Sequence, residues 1–428
     1  MVINTKLNLS RQNKLLPTTK PKSSGFCALC RGTKFLCGKS RCPILVKFHS
    51  HDKVKPLVDK LRLGGSSPPS VFIGRFGYPK VSIGPMIPPI MGDTSLIDTP
   101  ELWMDRSIDD IVDFRSMLIR GKFNIDVYDT ENPNKIVGYT RELALSKNSV
   151  FSEVIFEKKP RGKITLYDEV QPHGPSAPLK KLEITNPKYE QHIEKVFYDT
   201  DLKAKDAVSI LYKDKVNISK IQRAFSVGAF GLKKFRKFVP TRWSITAVDS
   251  LLGKELMKKT KMNPYINEFR IYHLNQFDNR WIILMMPSEW QYELIEAWYP
   301  NTTWNQYGRG ISIFNSYEFF KGRTNYAEIG GCYYAARLAV NEILNNERRQ
   351  AGVVILREAH PGYIMPIGVW NVRESVRKAL KQDYQIFDNL ADAIVYVSQK
   401  VDIPMQRWIR NSAVLKNQLY QKRIEDFK

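Results

Sequence analysis

Four of the five cysteines lie between positions 27 and 42, as Cys27, Cys30, Cys37 and Cys42. Four thiolates suit a tetrahedral structural Zn²⁺. The two residues between Cys27 and Cys30 let both sulfurs reach one ion from a single turn. Gly32 and Gly38 each follow a ligand closely and permit sharp turns that bring amides toward sulfur. Binding would fold a segment too short to bury a core of its own. Pro43 directly after Cys42 echoes ferredoxin-type runs, so an iron–sulfur cluster is the alternative occupant, although the spacing differs. A third reading leaves the thiols unligated; without a secretory context they stay reduced. His49 and His51 lie just beyond Cys42 and are not needed as ligands when four cysteines are present.

Other reactive side chains are more scattered. Glu358 and His360 follow a short apolar strand, Val353 to Leu356, and ligands of open α/β sheets gather beyond the carboxyl ends of strands. A carboxylate and an imidazole there could share a metal or move a proton. With Glu328 they form the catalytic candidates, and Asp249, Arg357 and Glu374 could converge on the same cleft. The competing reading is a buried ion-pair network, for which Arg337, Arg357 and Arg373 supply the cations. Cys332 stands at the entry to a helix, where the helix terminus could activate a thiol; the alternative is a small buried hydrophobe. The spacing fits no nuclease, glycosylase or nucleotide-binding signature, and there is no P-loop.

Lys233, Lys234, Arg236, Lys237 and Arg242 interleave with Phe235, Phe238 and Trp243. Cations neutralise phosphates, and an exposed ring can stack on an unpaired base. The other reading is an amphipathic helix with Phe235 and Phe238 in the core and lysines in water; Arg242–Trp243 is the sharper functional pair. The whole chain favours a polyanionic partner, with 66 Lys and Arg against 43 Asp and Glu and a formal charge of +23. No acidic residue precedes Asp52, so the N-terminal part is purely basic.

The elements that must position these groups form a mixed α/β (α+β) chain: a small N-terminal four-cysteine zinc module, a mixed body, and a helical C-terminal region. At 428 residues, two or three domains are expected. Residues 1–25 read as a flexible basic arm, 26–48 as the metal module and 49–186 as an N-terminal α/β region. A C-terminal α/β domain follows over 187–415, then a tail over 416–428. Helical spacing runs from Asp52 to Leu63, stopped by Gly64–Gly65, and again from Ser107 to a stop at Gly121. Pro68 to Pro89 alternates short apolar strands with Gly and Pro turns and reads as a tight hairpin. Ser219 to Phe238 reads as a basic helix broken at Gly228 or Gly231. Phe269–Leu274 and Trp281–Met286 read as strands. Ser288 with Gln291 reads as a capping box for a helix through Trp298. Ala335 to Gln350, Val372 to Lys381, Phe387 to Gln399 and Pro404 to Tyr420 read as helices. No apolar run is long enough to span a membrane and no signal-peptide core is present, so a cytoplasmic, nucleoid-associated protein is expected.

Several long stretches resemble the archaeal Nre proteins. They are the four-cysteine module, Gly74-Arg-Phe-Gly-Tyr-Pro79 with Val81-Ser-Ile-Gly-Pro-Met-Ile-Pro-Pro89, Val239-Pro-Thr-Arg-Trp-Ser-Ile-Thr-Ala-Val-Asp249, Thr324-Asn-Tyr-Ala-Glu-Ile-Gly-Gly-Cys-Tyr-Tyr-Ala-Ala-Arg337 and Gly368-Val-Trp-Asn-Val-Arg-Glu374. The resemblance covers nearly the whole chain after Gly25. It implies a role in DNA repair and binding to the sliding clamp PCNA, without supplying a reaction. The C-terminal residues suit that partner. Gln421, Ile424 and Phe427 are spaced so that one helical turn presents Ile424 and Phe427 as an apolar plug while Gln421 bonds the rim. Lys428 stands where such PIP motifs often carry a second aromatic. The bland reading of the same residues is a helix end with two packed side chains. The expected function is therefore a repair factor that binds DNA and docks on PCNA. The alternatives are a DNA-processing enzyme, a nuclease or base-processing activity built on Glu328, Glu358 and His360, and an RNA-binding or RNA-modifying protein.

Overall fold

The computed structural model describes residues 27, 29–131, 133–162, 171–306 and 308–420. The basic arm and the clamp-binding residues Gln421, Ile424 and Phe427 lie outside the described residues.

Two six-stranded mixed sheets organise the chain. The first is built from β1 (Arg62–Ser67), β2 (Val71–Ile73), β3 (Lys80–Ile87), β4 (Ile119–Asp126), β5 (Val150–Phe156) and β6 (Ser176–Ile184). Its spatial order is β1-β5-β6-β4-β3-β2, with β4 and β6 parallel and the other pairs antiparallel. The second contains β7 (Phe269–Gln276), β8 (Asn279–Met286), β9 (Gln291–Trp298), β10 (Ser312–Glu318), β11 (Gly352–Ala359) and β12 (Gln385–Phe387), in the order β10-β9-β11-β8-β7-β12. Here β9 and β11 are parallel, and all the other neighbours are antiparallel.

The helices follow from local signals and from what they cover. Helix α1 (Pro43–Val58) starts with Pro at its first position, where the missing N–H costs nothing. It buries Val54 and Val58 against Leu63, Ile87 and Val154 of the first sheet. It ends before the expected glycine stop. Gly64 and Gly65 lie inside β1, because Arg62 to Ser67 pairs with β5 and leaves Leu57 and Leu61 exposed. Helix α2 (Ile108–Met117) carries the expected Ser107 cap, completed by Asp110 into a capping box. It stops at Met117 rather than Gly121, since Ile119 onward is recruited to β4.

Helix α3 (Lys135–Leu145), unmarked in the sequence pattern, packs with α4 (Gln191–Tyr198), α5 (Ala204–Lys213), α6 (Ile218–Ser226) and α7 (Thr241–Thr260) into one core with β2 and β3. That core runs from Val71 to Leu338, so the boundary expected near Asn186–Pro187 falls within continuous packing. The expected basic helix from Ser219 ends at Ser226. Gly228 has φ +65° and its Cβ would meet the Lys237 carbonyl at 2.8 Å, so the chain turns back on itself there.

The second sheet is sandwiched between helices. Helices α8 (Gly331–Glu347) and α9 (Trp370–Leu380) cover one face through Ala335, Ala336, Ala339, Val372 and Val376. Helices α10 (Leu390–Ser398), α11 (Met405–Asn411) and α12 (Ala413–Tyr420) cover the other through Val397, Trp408, Val414 and Leu415. All eight residues of β9 and of β11 are buried, as expected of strands covered on both faces. The Ser288–Trp298 helix expected from a capping box is thus β9. Gln291 does donate to Ser288, at 3.2 Å, but from a strand inserted between β10 and β11.

Candidate nucleic-acid interface

Segments far apart in sequence assemble a cationic, aromatic surface where the β2–β3 hairpin meets the start of α7. The β2–β3 hairpin closes through Gly74 to Pro79, with every residue from Arg75 to Lys80 exposed. Gly77 adopts φ +84°, and a Cβ there would sit 2.7 Å from the Lys80 carbonyl, so the tight loop requires glycine. The Thr241 hydroxyl at the start of α7 accepts the Ile73 amide at 3.0 Å and ties the hairpin to the helix. This brings Trp243 against Tyr78, ring centroids 5.2 Å apart. Arg75 comes within range of Arg242, and burial together with that like charge lowers its pKa.

Tyr78 hydrogen-bonds Tyr128, and the Lys237 ammonium lies 5.9 Å from the Tyr128 ring centre. A cleft of about 780 Å³ continues the surface, lined by Lys80, Tyr128, Lys233 and Lys234 and also by Asp126, Asp129 and Glu131. Phe76 is 84% exposed and Phe235 is 68% exposed, each beside a cation of its own neighbour, Arg75 and Lys234. Among the described residues, Arg75, Lys80, Lys234, Lys237 and Arg242 have no ion-pair partner within 4.0 Å. Exposed rings beside unpaired cations are the elements that stack on bases and neutralise phosphates.

The six expected contact residues therefore separate. Lys233, Lys234, Lys237 and Arg242 are exposed and Trp243 is half-buried against Tyr78. Arg236 is committed elsewhere: its guanidinium donates to the carbonyls of Gly231, Phe197 and Asp199 at 2.8, 2.7 and 2.8 Å and locks the loop. Phe238 is core as expected, whereas Phe235 faces solvent. Sequence reasoning did not assign Arg75, Phe76, Tyr78 and Tyr128 to this surface. The glycine-rich hairpin was a readable loop; Tyr128 carried no signal of its own.

At the cysteine module, Cys30 is buried. The Leu36 amide points at its sulfur and lowers its pKa, against the opposing effect of burial, with the amides of Gly32, Lys34 and Phe35 adding to it. Amides converging on a thiolate are the second-sphere pattern of a metal-binding turn, and four sulfur donors fit Zn²⁺. The four sulfurs do not close on a common point. Among the described residues, the one set of three candidate ligand atoms within 4.8 Å of one another is Glu358, His360 and Asp402.

In that second cluster, His360 Nε2 lies 3.6 Å from Glu358 and 3.9 Å from Asp402, and its ring stacks on Tyr299 at 4.3 Å. Glu358 is already engaged. It accepts the amides of Asp402 and Ile403 at 3.1 and 3.0 Å, and Arg280 lies 3.4 Å away and bridges to Asp402 at 2.6 Å. Its role here is to hold the chain entering α11 against β11. Glu328 does not join this pair. It is held by Arg323 and by Ser316, which shares a face with Leu294 and Ile355 under α8 and α9, opposite to Glu358.

The remaining acids and arginines form buried pairs: Arg337–Glu318 at 2.9 Å, Arg357–Glu296 at 2.7 Å and Arg373–Asp249 at 2.9 Å. Cys332 packs against the helix-side core, and burial, reinforced by Glu296, pushes its thiol pKa up, away from a nucleophile's range. Among the described residues, no helix is long and apolar enough to cross a membrane.

Two family models match the chain: archaeal Nre, N-terminal, over residues 36–305, and archaeal Nre, C-terminal, over 318–427. The chain is 42% identical to DNA repair protein NreB of Archaeoglobus fulgidus over 91% of its own length and 97% of the relative's. It is 36% identical to DNA repair protein NreA of the same organism, covering 88% of this chain and 94% of that one. To DNA repair protein NreA of Haloferax volcanii it is 31% identical, covering 85% and 89%. No solved structure matches.

Proposed function

The chain belongs to the archaeal Nre family, and from that premise we propose that it is a DNA-repair factor that contacts DNA through the cationic, aromatic surface and docks on the sliding clamp PCNA through Gln421, Ile424 and Phe427. The observation that carries the DNA contact is the set of unpaired cations, Arg75, Lys80, Lys234, Lys237 and Arg242, interleaved with exposed Phe76 and Phe235. The names of the relatives support repair as the setting. The engaged state of Glu358 and the separation of Glu328 favour a binding role over a hydrolytic one at those residues. Two modest contacts, one to DNA and one to the clamp, raise local concentration without tight binding at either.

The test is calorimetric titration of the cognate clamp with the full chain and with a chain ending at Tyr420, beside anisotropy with labelled DNA. Clamp binding is expected to vanish on truncation. DNA affinity is expected to fall with salt, with a slope about two units shallower in the Arg75→Gln/Arg242→Gln variant, roughly one unit per lost phosphate contact. Clamp binding that survives truncation removes the tail assignment, and an unchanged slope removes the surface.

Cys27, Cys30, Cys37 and Cys42 would hold Zn²⁺, which supplies cross-linking of a segment too short to fold alone. Elemental analysis of the purified chain is expected to find about one zinc per chain, lost in Cys30→Ser. Iron with an absorbance band in the visible would assign the cluster instead.

A further inference from the structure

Three side chains converge where β11 leaves the second sheet. Glu358 and His360 stand two residues apart at the end of that strand, and alternation along a strand puts such residues on one side. That side carries Val354 and Leu356 and is covered by α10, α11 and α12. Asp402 comes from the segment that leads into α11.

The backbone holds all three in place. The His360 amide donates to the Asp278 carbonyl at 3.1 Å, and its ring stacks on Tyr299 with centroids 4.3 Å apart. The amides of Asp402 and Ile403 donate to Glu358 Oε1 at 3.1 and 3.0 Å. Asp402 commits its Oδ1 to Arg280 at 2.6 Å.

One donor atom of each residue is left facing the others. His360 Nε2 lies 3.6 Å from Glu358 Oε2 and 3.9 Å from Asp402 Oδ2. One ligand atom from each of the three residues lies within 4.8 Å of the other two. Nε2 is shielded from water and has no hydrogen-bond partner, a costly state for a buried nitrogen. Glu358 Oε2 has two longer contacts, the Asp402 amide at 3.2 Å and Arg280 at 3.4 Å.

The distances from Nε2 are too long for hydrogen bonds and fit donors that share an ion. On metal–donor bonds of about 2.1 Å, two ligands stand about 3.0 Å apart in adjacent octahedral positions, about 3.4 Å in tetrahedral ones and about 4.2 Å across the metal. Asp402 is exposed, so its side chain supplies the small remaining closure. Arg280 pairs with both carboxylates but cancels one charge, and a neutral imidazole leaves the cluster one charge negative. An imidazole with two carboxylates and no thiolate suits divalent first-row ions such as Mn²⁺, whereas sulfur-rich sites select softer ones.

We propose that Glu358, His360 and Asp402 bind one divalent transition-metal ion through Oε2, Nε2 and Oδ2. The ion ties the segment entering α11 to the end of β11. Three protein donors and the exposure of Asp402 leave coordination positions toward solvent, for water or an anionic oxygen. The site uses neither the cysteines nor the cationic surface, and it stands or falls apart from the DNA and clamp contacts.

The test is titration of Mn²⁺ into the full chain, followed by the electron paramagnetic resonance of the free ion. Mn²⁺ is the probe because four thiolates disfavour it, so the cysteine module does not compete. Uptake of one ion per chain is expected. Spin-echo spectra of the bound ion should show coupling to one imidazole nitrogen. His360→Phe keeps a ring against Tyr299 and removes the donor. It is expected to weaken uptake at least about tenfold and to abolish the nitrogen coupling. Its unfolding temperature in chelator should match that of the unaltered chain, since the lost nitrogen has no partner there. Asp402→Asn, at an exposed position, should also weaken uptake about tenfold and serves as the second variant should the phenyl ring disturb packing. No uptake at millimolar Mn²⁺ overturns the proposal. So does uptake without nitrogen coupling, or with an affinity that neither variant changes.

Discussion

Replacing Asp249 with alanine will destabilise the protein by about 3–5 kcal/mol, the loss expected when one partner of a buried ion pair is removed. Asp249 and Arg373 are fully buried, with Arg373 Nη1 at 2.9 and 3.1 Å from the two carboxylate oxygens. Gln222 of α6 donates to the same carboxylate at 2.9 Å. The network continues from Arg373 to Glu374, Arg377, Glu342 and the Tyr212 hydroxyl, and so links α5, α6 and α7 to α8 and α9. It is the polar seam between the helices of the first core and those over the second sheet. Without Asp249, Arg373 keeps a buried charge compensated only by Glu374 and, less strongly, by Glu101. The expected readout is a fall in unfolding temperature of about 3–6 °C. The double variant Asp249→Leu/Arg373→Met should recover most of it, because apolar groups of similar volume replace such pairs at little cost. A rise in stability in Asp249→Ala would instead mean that the carboxylate is a strained functional group.

The same seam explains what the sequence could and could not disclose. Buried strands with unbroken apolar runs, such as Trp281 to Met286, were legible because both faces are covered. Strand β9 was not. Its Glu293 and Glu296 look like the polar face of a helix, and only their distant partners, the start of α12 and Arg357, make them strand residues. The choice between a catalytic cleft and a buried ion network for Asp249, Arg357 and Glu374 rested on which faces meet. Residue types alone leave that open, and the topology supplies the network.

The candidate interface divides in the same way. The basic run from Lys233 to Arg242 was legible from composition. Its partner, the Arg75 to Pro79 loop, lies more than a hundred residues earlier, and nothing local shows that Tyr78 meets Trp243. Arg236 was indistinguishable from its neighbours because the three carbonyls that capture it come from Phe197, Asp199 and Gly231.

Glu293→Ala is expected to cost about 3–4 kcal/mol and to act locally. The carboxylate is fully buried in β9, on the face beneath α12. It accepts the amides of Ala413 and Val414, both at 3.0 Å, the Ser412 hydroxyl, and Asn315 at 2.8 Å. Ser412 in turn accepts the Leu415 amide at 2.9 Å. The donors that begin α12 are therefore satisfied by one charged side chain and the serine it orients. A negative charge at a helix N-terminus also complements the helix dipole. Alanine leaves these donors buried and unpaired, whereas Glu293→Gln keeps one acceptor and should cost roughly half as much. Because α12 is a short terminal element, the loss should appear as local opening. Amide exchange over residues 413–420 is expected to accelerate about a hundredfold while that of β8 and β11 stays unchanged. The same helix leads into the residues assigned to the clamp, so the variant separates two roles for it. Clamp affinity preserved in Glu293→Ala would mean that the tail binds as a free peptide, and a parallel loss would mean that α12 presents it. Exchange unchanged over 413–420 would remove Glu293 as the anchor of the C-terminal segment.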